Sequence, residues 1–467
     1  MNVTQVALCP SEASRNARRP ALTPELLAAS GARYSRNNEG LQAILSKIDP
    51  QNLEKSVDSI FRMVDYGHQS IADMVPVAMF IDGISIWLAY YLWTLCPTAS
   101  GQESSTRYIK ISNEGLIPPE VLGIPKAELA AWQTQMQQCF QAYQASVALW
   151  EELAAQTPEI MGIPQSLLQD PSEPARKKVA RMRRNYAFDR ARYLLPVSAA
   201  TNVMLLLSAR GWVTLCQCLL SHPLPEAQQL GALVRNELAL AAPRMLKYAR
   251  AEEPSKKTLA DEFARVVELA AKIGLEPAAA ASASARSYLS VMPPDHLPPD
   301  TLAGALRHHP NRYAPFGSAL QRTAVRFGWS AIGFAEIRDL NRHRTGTKYC
   351  PQVPSGFYFS EDQLPPGAAP QRERLLLQAD IGRAACAAAL DRLKRAQPSY
   401  IYWSVLGTEY PFEHTTTADK FIYEAELRTG LGAHFRYAKH LRDVLALWYE
   451  RFPATKGLIL EGSAEPE

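Results

Sequence analysis

Residues 95–108 read LCPTASGQESSTRY, and residues 342–352 read RHRTGTKYCPQ. The second stretch sets Arg342, His343 and Arg344 where a helix predicted over residues 330–341 should end. Cations at that end offset the helix macrodipole and contribute about 0.3 to 1 kcal/mol each, which accounts for a single arginine but not for the first stretch. Two guanidiniums and an imidazole within three residues form a donor cluster suited to a pyrophosphate or an electron-rich ring, because arginine has rigid bidentate geometry and keeps its charge. In the first stretch, Glu103 to Tyr108 reads as a polar loop. There Arg107 would grip a phosphate, while the Ser105 hydroxyl and nearby backbone N–H groups would address a base.

The two stretches share a register. An offset of 247 residues (342 minus 95) sets Leu95 on Arg342 and also sets Phe80 on Phe327. Each half opens on a short strand-like run, Val3 to Leu8 or Tyr288 to Val291, and continues through helices to an apolar strand ending at Phe80 or Phe327. A helix then runs to Leu95 or Asn341. A long amphipathic helix follows, over 126–156 and 371–396, and each half closes in a helical block, over 196–250 and 411–451. The run GLEPAAAASASARS, residues 274–287, has small residues in place of the periodic apolar pattern and reads as a linker. The expected fold class is α+β, with two tandem, mostly helical domains, each with a small antiparallel sheet, forming an internal pseudo-dimer. The expected blocks are a first domain over 1–250, a helix and linker over 251–287, and a second domain over 288–467.

With 467 residues, 47% of them apolar, the chain can bury two or three ordinary cores. Its net charge of +4 is spread along the length and gives no reason to expect a nucleic acid or an anionic membrane as partner. The most apolar stretch, 75–95, is interrupted by Pro76, Asp82 and Gly83, and the first residues lack a basic region followed by an apolar run. Neither a membrane span nor a signal peptide is expected. Seven scattered cysteines, with only Cys216 and Cys218 close together, predict no disulfide framework and fit a reduced, cytoplasmic setting. The pairs His308–His309 and Asp295–His296 lack a third ligand at metal spacing, so no metal is expected.

Together the two stretches resemble the flavin-dependent thymidylate synthases. That family carries RHR, seven residues and then Ser, with Glu two positions before that Ser and Arg-Tyr at the second and third positions after it. Here Glu103, Ser105, Arg107 and Tyr108 hold the late positions of the first copy, while Leu95, Cys96 and Pro97 stand at RHR. The second copy keeps Arg342, His343 and Arg344 but has Gln352 at the Ser position. The segment YGHQSIAD, residues 66–73, resembles the family's Gly-His-x-Ser-x-x-Glu, with Asp73 for Glu, which implies that His68 and Ser70 lie against the flavin. Arg192 to Pro196 resembles an Arg-x-x-Leu-Pro step whose Arg contacts the nucleotide, and Ser208-Ala209-Arg210 resembles a flavin-contacting Asn-x-Arg with Ser for Asn. Leu427 to His434 is similar to Leu-Arg-x-x-x-x-Ala-Gln, which sets Arg428 at the pyrimidine, and Asp339 stands where an amide contacting the nucleotide is usual.

The family builds its site between subunits, so complementary losses in two halves imply one surviving composite site. The resemblance implies reductive C5-methylation of a uracil nucleotide (dUMP to dTMP type) with FAD as redox carrier, NADPH as reductant and methylenetetrahydrofolate as carbon donor. Arg428, Ser105 and His68 would act at the reacting base. Arg342, His343, Arg344, His68, Ser70 and Arg210 would hold the flavin, and Glu103, Ser105, Arg107, Arg192, Asp339 and Arg428 the nucleotide. A homodimer of the tandem chain would reproduce the family's four-domain assembly. The alternatives are the same chemistry on another pyrimidine nucleotide, favoured by Asp339, and a non-catalytic nucleotide- or flavin-binding scaffold.

Overall fold

The computed structural model describes residues 1–35, 40–49, 52–65, 68–96, 98–109, 111, 115–273, 286–293, 298, 300–430 and 432–462. Tyr66, Gly67, Pro97, Asp295, His296, Leu431 and most of the expected linker lie outside them. The chain forms two compact units, each interleaved in sequence. The first takes Met1–Ser104, Leu116–Pro125 and Ala199–Ala264; the second takes Ser105–Gly115, Lys126–Ser198 and Arg265–Glu467. Residues 126–198, inside the expected first block, thus belong to the second unit. Among the described residues no helix is long and apolar enough to cross a membrane.

The first unit holds a four-stranded antiparallel sheet, β1 (Asn2–Val6), β2 (Pro76–Ser85), β3 (Ser100–Glu103) and β4 (Ala200–Ser208), in the order β1-β2-β4-β3. The second holds β5 (Ser287–Met292), β6 (Ala324–Gly333), β7 (Thr347–Tyr349), β8 (Gly356–Phe357) and β9 (Thr408–Thr417), in the order β5-β6-β9-β7, with β8 also on β9. The α+β class with a small antiparallel sheet in each unit is therefore present.

Three local expectations are corrected. The closing blocks are not wholly helical, because β4 and β9 are interior strands of their sheets. In β4, Val203, Leu205 and Leu207 face the core, but Met204 and Leu206 on the other face are apolar too, so the period-2 signal is masked. In β9, Pro411 argues against an interior strand, since proline lacks a ladder donor. The sheet accommodates it at a bulge, where Ser330 and Ala331 oppose Pro411 between the pairs Trp329↔Phe412 and Ile332↔Tyr410.

The second correction concerns register. The first sheet carries the same bulge, with Asp82 and Gly83 opposite Asn202 between Ile81↔Val203 and Ile84↔Thr201. Gly83 has a φ of +69° and donates its N–H to Asn202 Oδ1 at 3.0 Å. Matching the bulges relates β2 to β6 by 248 residues, so Phe80 corresponds to Gly328 rather than Phe327. The pairs Ala78↔Leu206↔Ser100 and Arg326↔Thr415↔Thr347 then relate β3 to β7 by 247, as the motif stretches require. One residue is absorbed between Ser85 and Ser100. Third, β2 and β6 run on past the expected ends to Ser85 and Gly333, and Glu103 belongs to a strand rather than a loop.

At the end of β2, the helix Ile86–Leu95 is capped by Ser85, whose Oγ accepts Leu88 N–H at 2.9 Å. Buried Glu226 accepts both Ser85 N–H (2.7 Å) and Ser85 Oγ–H (2.8 Å). Glu226 is the second residue of helix Pro225–Ala241, and the second residue of the matching helix Phe435–Arg451 is Arg436. The second unit accordingly answers with carboxylates: Arg436 Nη2 lies 2.7 Å from Glu409 Oε1, and its Nε lies 3.5 Å from Glu336 Oε2. Gly333 replaces Ser85, and a Cβ there would stand 2.6 Å from Glu336 Oε2.

We expect Glu226→Ala to cost about 3 kcal/mol, from two charged hydrogen bonds and an exposed helix terminus; the check is thermal unfolding, with Tm lowered by at least about 5 °C. Burial raises the Glu409 carboxyl to about 7, Arg436 opposing and Glu336 adding to the rise. The folded chain then binds a proton that the unfolded chain has released, so this residue's stability contribution is present below the unfolded value and lost as pH rises through about 7. The Tm of Glu409→Gln relative to the parent chain should therefore increase between about pH 5 and pH 8, whereas a constant difference would rule out the raised carboxyl.

Candidate active site

The sequence-predicted residues fall in both units. In the second, helix Glu173–Ala191 ends in a 3₁₀ turn, Arg192–Leu194, that buries Arg192 to 1% exposure. A buried guanidinium needs partners, because unpaired charge in a low-dielectric interior is heavily penalised. Arg192 Nη2 lies 3.0 Å from Asp339 Oδ2 and 3.9 Å from Glu336 Oε1. Tyr193 donates its hydroxyl to Glu336 at 2.6 Å. Asp339 is on helix Phe334–Asn341, directly before the RHR run.

Arg107 feels the charge of Asp339 too but pairs with another carboxylate, Asp189. Its Nε donates to Asp189 Oδ1 at 2.8 Å and its Nη2 to Asp189 Oδ2 at 3.1 Å, a side-on fork, and Nη2 also reaches Gly432 O at 3.3 Å. Ser105 Oγ accepts the backbone N–H of Arg107 at 3.2 Å, which holds the turn, and Arg338 Nη1 lies 3.5 Å from Thr106 Oγ1. Burial would raise the Asp339 carboxyl, but Arg192, then Arg107, Arg342 and Arg428, outweigh it and hold it at about 2. Four guanidiniums thus act on one carboxylate. Burial also works against the charge on Arg107 and Arg192, and it is overcome by Asp189 for the first and Asp339 for the second.

The RHR run meets helix Ala418–Thr429 through a hydrogen bond from Arg428 Nε to His343 Nε2 at 3.0 Å. Accepting that bond requires a lone pair on Nε2, so the ring is neutral with its proton on Nδ1. Burial drives His343 down to about 3, with Arg428, His414 and Lys348 adding to the effect against Glu424. Glu424 is itself held near 2, its burial outweighed by His343, His414 and Lys348. Tyr437 donates to Glu424 Oε1 at 3.2 Å, and His414 Nδ1 is 3.2 Å from Glu424 Oε2. His414 Nε2 reaches the carbonyl of Thr345 at 2.7 Å, and Lys348 Nζ reaches those of His343 and Thr345. These bonds fix the backbone that carries Arg342 and Arg344.

The other predicted residues lie in the first unit. Glu103 is buried at the end of β3 and accepts Trp93 Nε1–H at 3.2 Å. His68 and Ser70 are exposed at the start of helix Ser70–Asp73. Asp73 Oδ2 pairs with Arg210 Nη1 at 2.9 Å. Ser208, standing at the family's Asn, caps helix Ala209–Ser221 by accepting Gly211 N–H at 3.1 Å. Its short hydroxyl suits that cap, which explains why the amide position tolerates serine here.

Sequence reasoning missed Asp189, Glu336, His414, Glu424, Tyr437 and Arg436. Asp189 had a signal: it is the sole acid after Glu173 in an Arg/Lys-rich helix and stands three residues before Arg192. The others are read only once strands and helices are assembled. Arg436 also stacks 3.2 Å over the Tyr358 ring and lines a cleft of about 750 Å³ with Phe359, Arg372, Arg383, Lys439 and His440.

Comparison with known proteins finds similarity over about half of the chain. The family model described as thymidylate synthase complementing protein matches residues 21–244. The protein named UPF0159 protein Ta1429 of Thermoplasma acidophilum is 25% identical over 254 residues, a match spanning 50% of this chain and about half, 51%, of that protein's length. Among solved structures, a UMP/dUMP methylase, PolB, from Streptomyces cacaoi, bound with 5-Br dUMP, is 16% identical with a TM-score of 0.32, over 53% of this chain and 93% of that one. Residues 21–244, just under half of the chain, match the model of the thymidylate synthase complementing proteins, which supports a chain like the flavin-dependent thymidylate synthases.

Proposed function

We propose that the second unit carries the site of a flavin-dependent C5-methylation of a uracil substrate, of the dUMP-to-dTMP type, with methylenetetrahydrofolate as carbon donor and NADPH as reductant. The observation that carries this reading is the convergence of the two complementary stretches. Ser105, Arg107 and Arg192 from the early sequence meet Asp339 and the RHR run within one compact unit, through the Arg192–Asp339 and Arg338–Thr106 contacts.

The residues fit a flavin nucleotide. Arg342 and Arg344 flank His343 on a backbone held by Lys348 and His414, and two guanidiniums so placed match the oxygens of a pyrophosphate. FAD, where bound, supplies the redox chemistry. Arg342 and Arg344 would grip its phosphates, and neutral His343 would hold Arg428 in place through Nε2. Arg428 would face the pyrimidine and stabilise negative charge growing on a ring carbonyl, which is most effective where water is excluded. Ser105 would hydrogen-bond the base edge, and Glu103 would support the strand before it. In the first unit, His68, Ser70 and Arg210 would contact a flavin by the same family resemblance. No cysteine nucleophile is needed, since the flavin route activates the ring without one.

The purified chain, supplied with FAD, should show visible flavin bands that shift when a uracil substrate is added; a chain that takes up no FAD would favour the non-catalytic scaffold instead. Arg344→Ala should lose most of the bound flavin. Arg428→Ala should retain flavin but lose at least 100-fold in turnover, a size expected for an oxyanion-stabilising donor. Arg210→Ala, which breaks a half-exposed pair with Asp73, should cost less. Near-parent turnover in Arg428→Ala would defeat the assignment of the site.

A further inference from the structure

We infer that Tyr437 is a positioning residue for Arg428: its ring is the platform over which that guanidinium is held, so that Arg428 meets the substrate oriented and with its charge intact. The inference rests on the site reading above and adds to it a residue outside every motif stretch. Tyr437 is the third residue of helix Phe435–Arg451 and is 1% exposed. Arg428 lies in the last turn of helix Ala418–Thr429 and is half-buried. The guanidinium carbon of Arg428 stands 5.5 Å from the centre of the Tyr437 ring. His343, which accepts Arg428 Nε–H at 3.0 Å, has its ring centre 6.4 Å from that of Tyr437 and meets it at 77°, edge to face. The guanidinium is thus held at Nε by an imidazole and over a phenol ring, and the two rings brace each other.

An aromatic face is electron-rich and attracts a cation within about 6 Å of its centre. Like the neutral imidazole, it orients the guanidinium without bringing a countercharge. The ring is itself fixed. Its hydroxyl donates to Glu424 Oε1 at 3.2 Å, and Glu424 stands one helical turn before Arg428 on the same helix. Burial and then Glu424 push the phenol well above its ordinary value, so the O–H keeps its proton and remains a donor. The platform is therefore anchored to the element that carries the arginine it supports, and the two keep their relative position. A partly desolvated cation–ring contact of this kind corresponds to about 2- to 30-fold in rate when it is lost from the transition state alone.

The structural alternative is that Tyr437 only fills the space between the two helices. Fluorination separates the two roles, because fluorine draws electron density from the ring face while nearly preserving its volume. The test is steady-state turnover of dUMP by the FAD-supplied chain with methylenetetrahydrofolate and NADPH. It compares Tyr437→Phe with chains bearing mono-, di- and trifluorinated phenylalanine at position 437, each with Arg428 and with Arg428→Ala. Flavin uptake and Tm are recorded for every chain. Since Tyr437→Phe is the reference, loss of the bond to Glu424 is common to the whole series. We expect kcat to fall stepwise with fluorination, to at least about fivefold below Tyr437→Phe, while KM for dUMP and flavin uptake stay within about twofold. With Arg428→Ala the series should be flat. Should Tyr437→Phe not fold, the fluorotyrosine series, which keeps the hydroxyl, carries the same test against the parent. A flat series with Arg428 present, or an equal decline with Arg428→Ala, overturns the inference and leaves the site reading standing. No turnover of any uracil nucleotide by the parent overturns the site reading and this inference with it.

Discussion

Arg192 is the constraint on which the second unit is arranged. A guanidinium at 1% exposure is tolerated only with carboxylates at hand, since one uncompensated buried charge costs several kcal/mol. Asp339 answers at 3.0 Å, and Glu336, one helical turn earlier on the same helix, stands at 3.9 Å. Glu336 is fully buried too, and it needs Tyr193 and Arg436 in turn. Arg436 then draws in Glu409 from β9. One buried cation at the site therefore propagates as alternating charges through helix Phe334–Asn341 into the interior of the sheet. Gly333 follows from the same chain of requirements, because the Glu336 carboxylate occupies the space where a Cβ would project.

The two sheets meet one problem with opposite charges. Each begins a helix at the end of its second strand, and each helix N-terminus presents N–H groups that want an acceptor. In the first unit Ser85 caps from within and Glu226 accepts from outside. In the second, the residue matching Ser85 has no side chain, Glu336 sits in the first turn, and the residue matching Glu226 is an arginine that pairs with it. A serine–glutamate arrangement has been exchanged for a glycine–glutamate–arginine one at matching positions. The exchange leaves the second unit with the buried charge that positions Tyr193 and Arg192.

Much of this was legible in the sequence, and the limits have physical causes. The RHR run and the Glu103-to-Tyr108 stretch could be read because arginines at fixed short spacing have few other uses. β4 was hidden because both of its faces are apolar, and β9 because Pro411 is permitted only by a bulge on the neighbouring strand. The offset of 247 was right at the motif and one residue short at β2, since a bulge fixes strand register while the following helix absorbs an insertion. Most of all, sequence reading assigned Arg107 and Arg192 to a ligand, having no means to see that Asp189 and Asp339 reach them first. Local motifs name the donors, and the fold decides which acceptors they meet.

The same logic explains why the middle residue of the RHR run is a neutral imidazole. Arg342, Arg344 and Arg428 already bring three positive charges near it, and a protonated His343 would add a fourth in a buried position. Held neutral, the ring offers Nε2 as an acceptor to Arg428 Nε, which orients the guanidinium without neutralising it. A carboxylate there would orient Arg428 equally well but would cancel the charge that makes it useful against a developing oxyanion. The site therefore holds its arginines with two kinds of partner: aspartates at Arg107 and Arg192, and the Nε2 of a neutral histidine at Arg428.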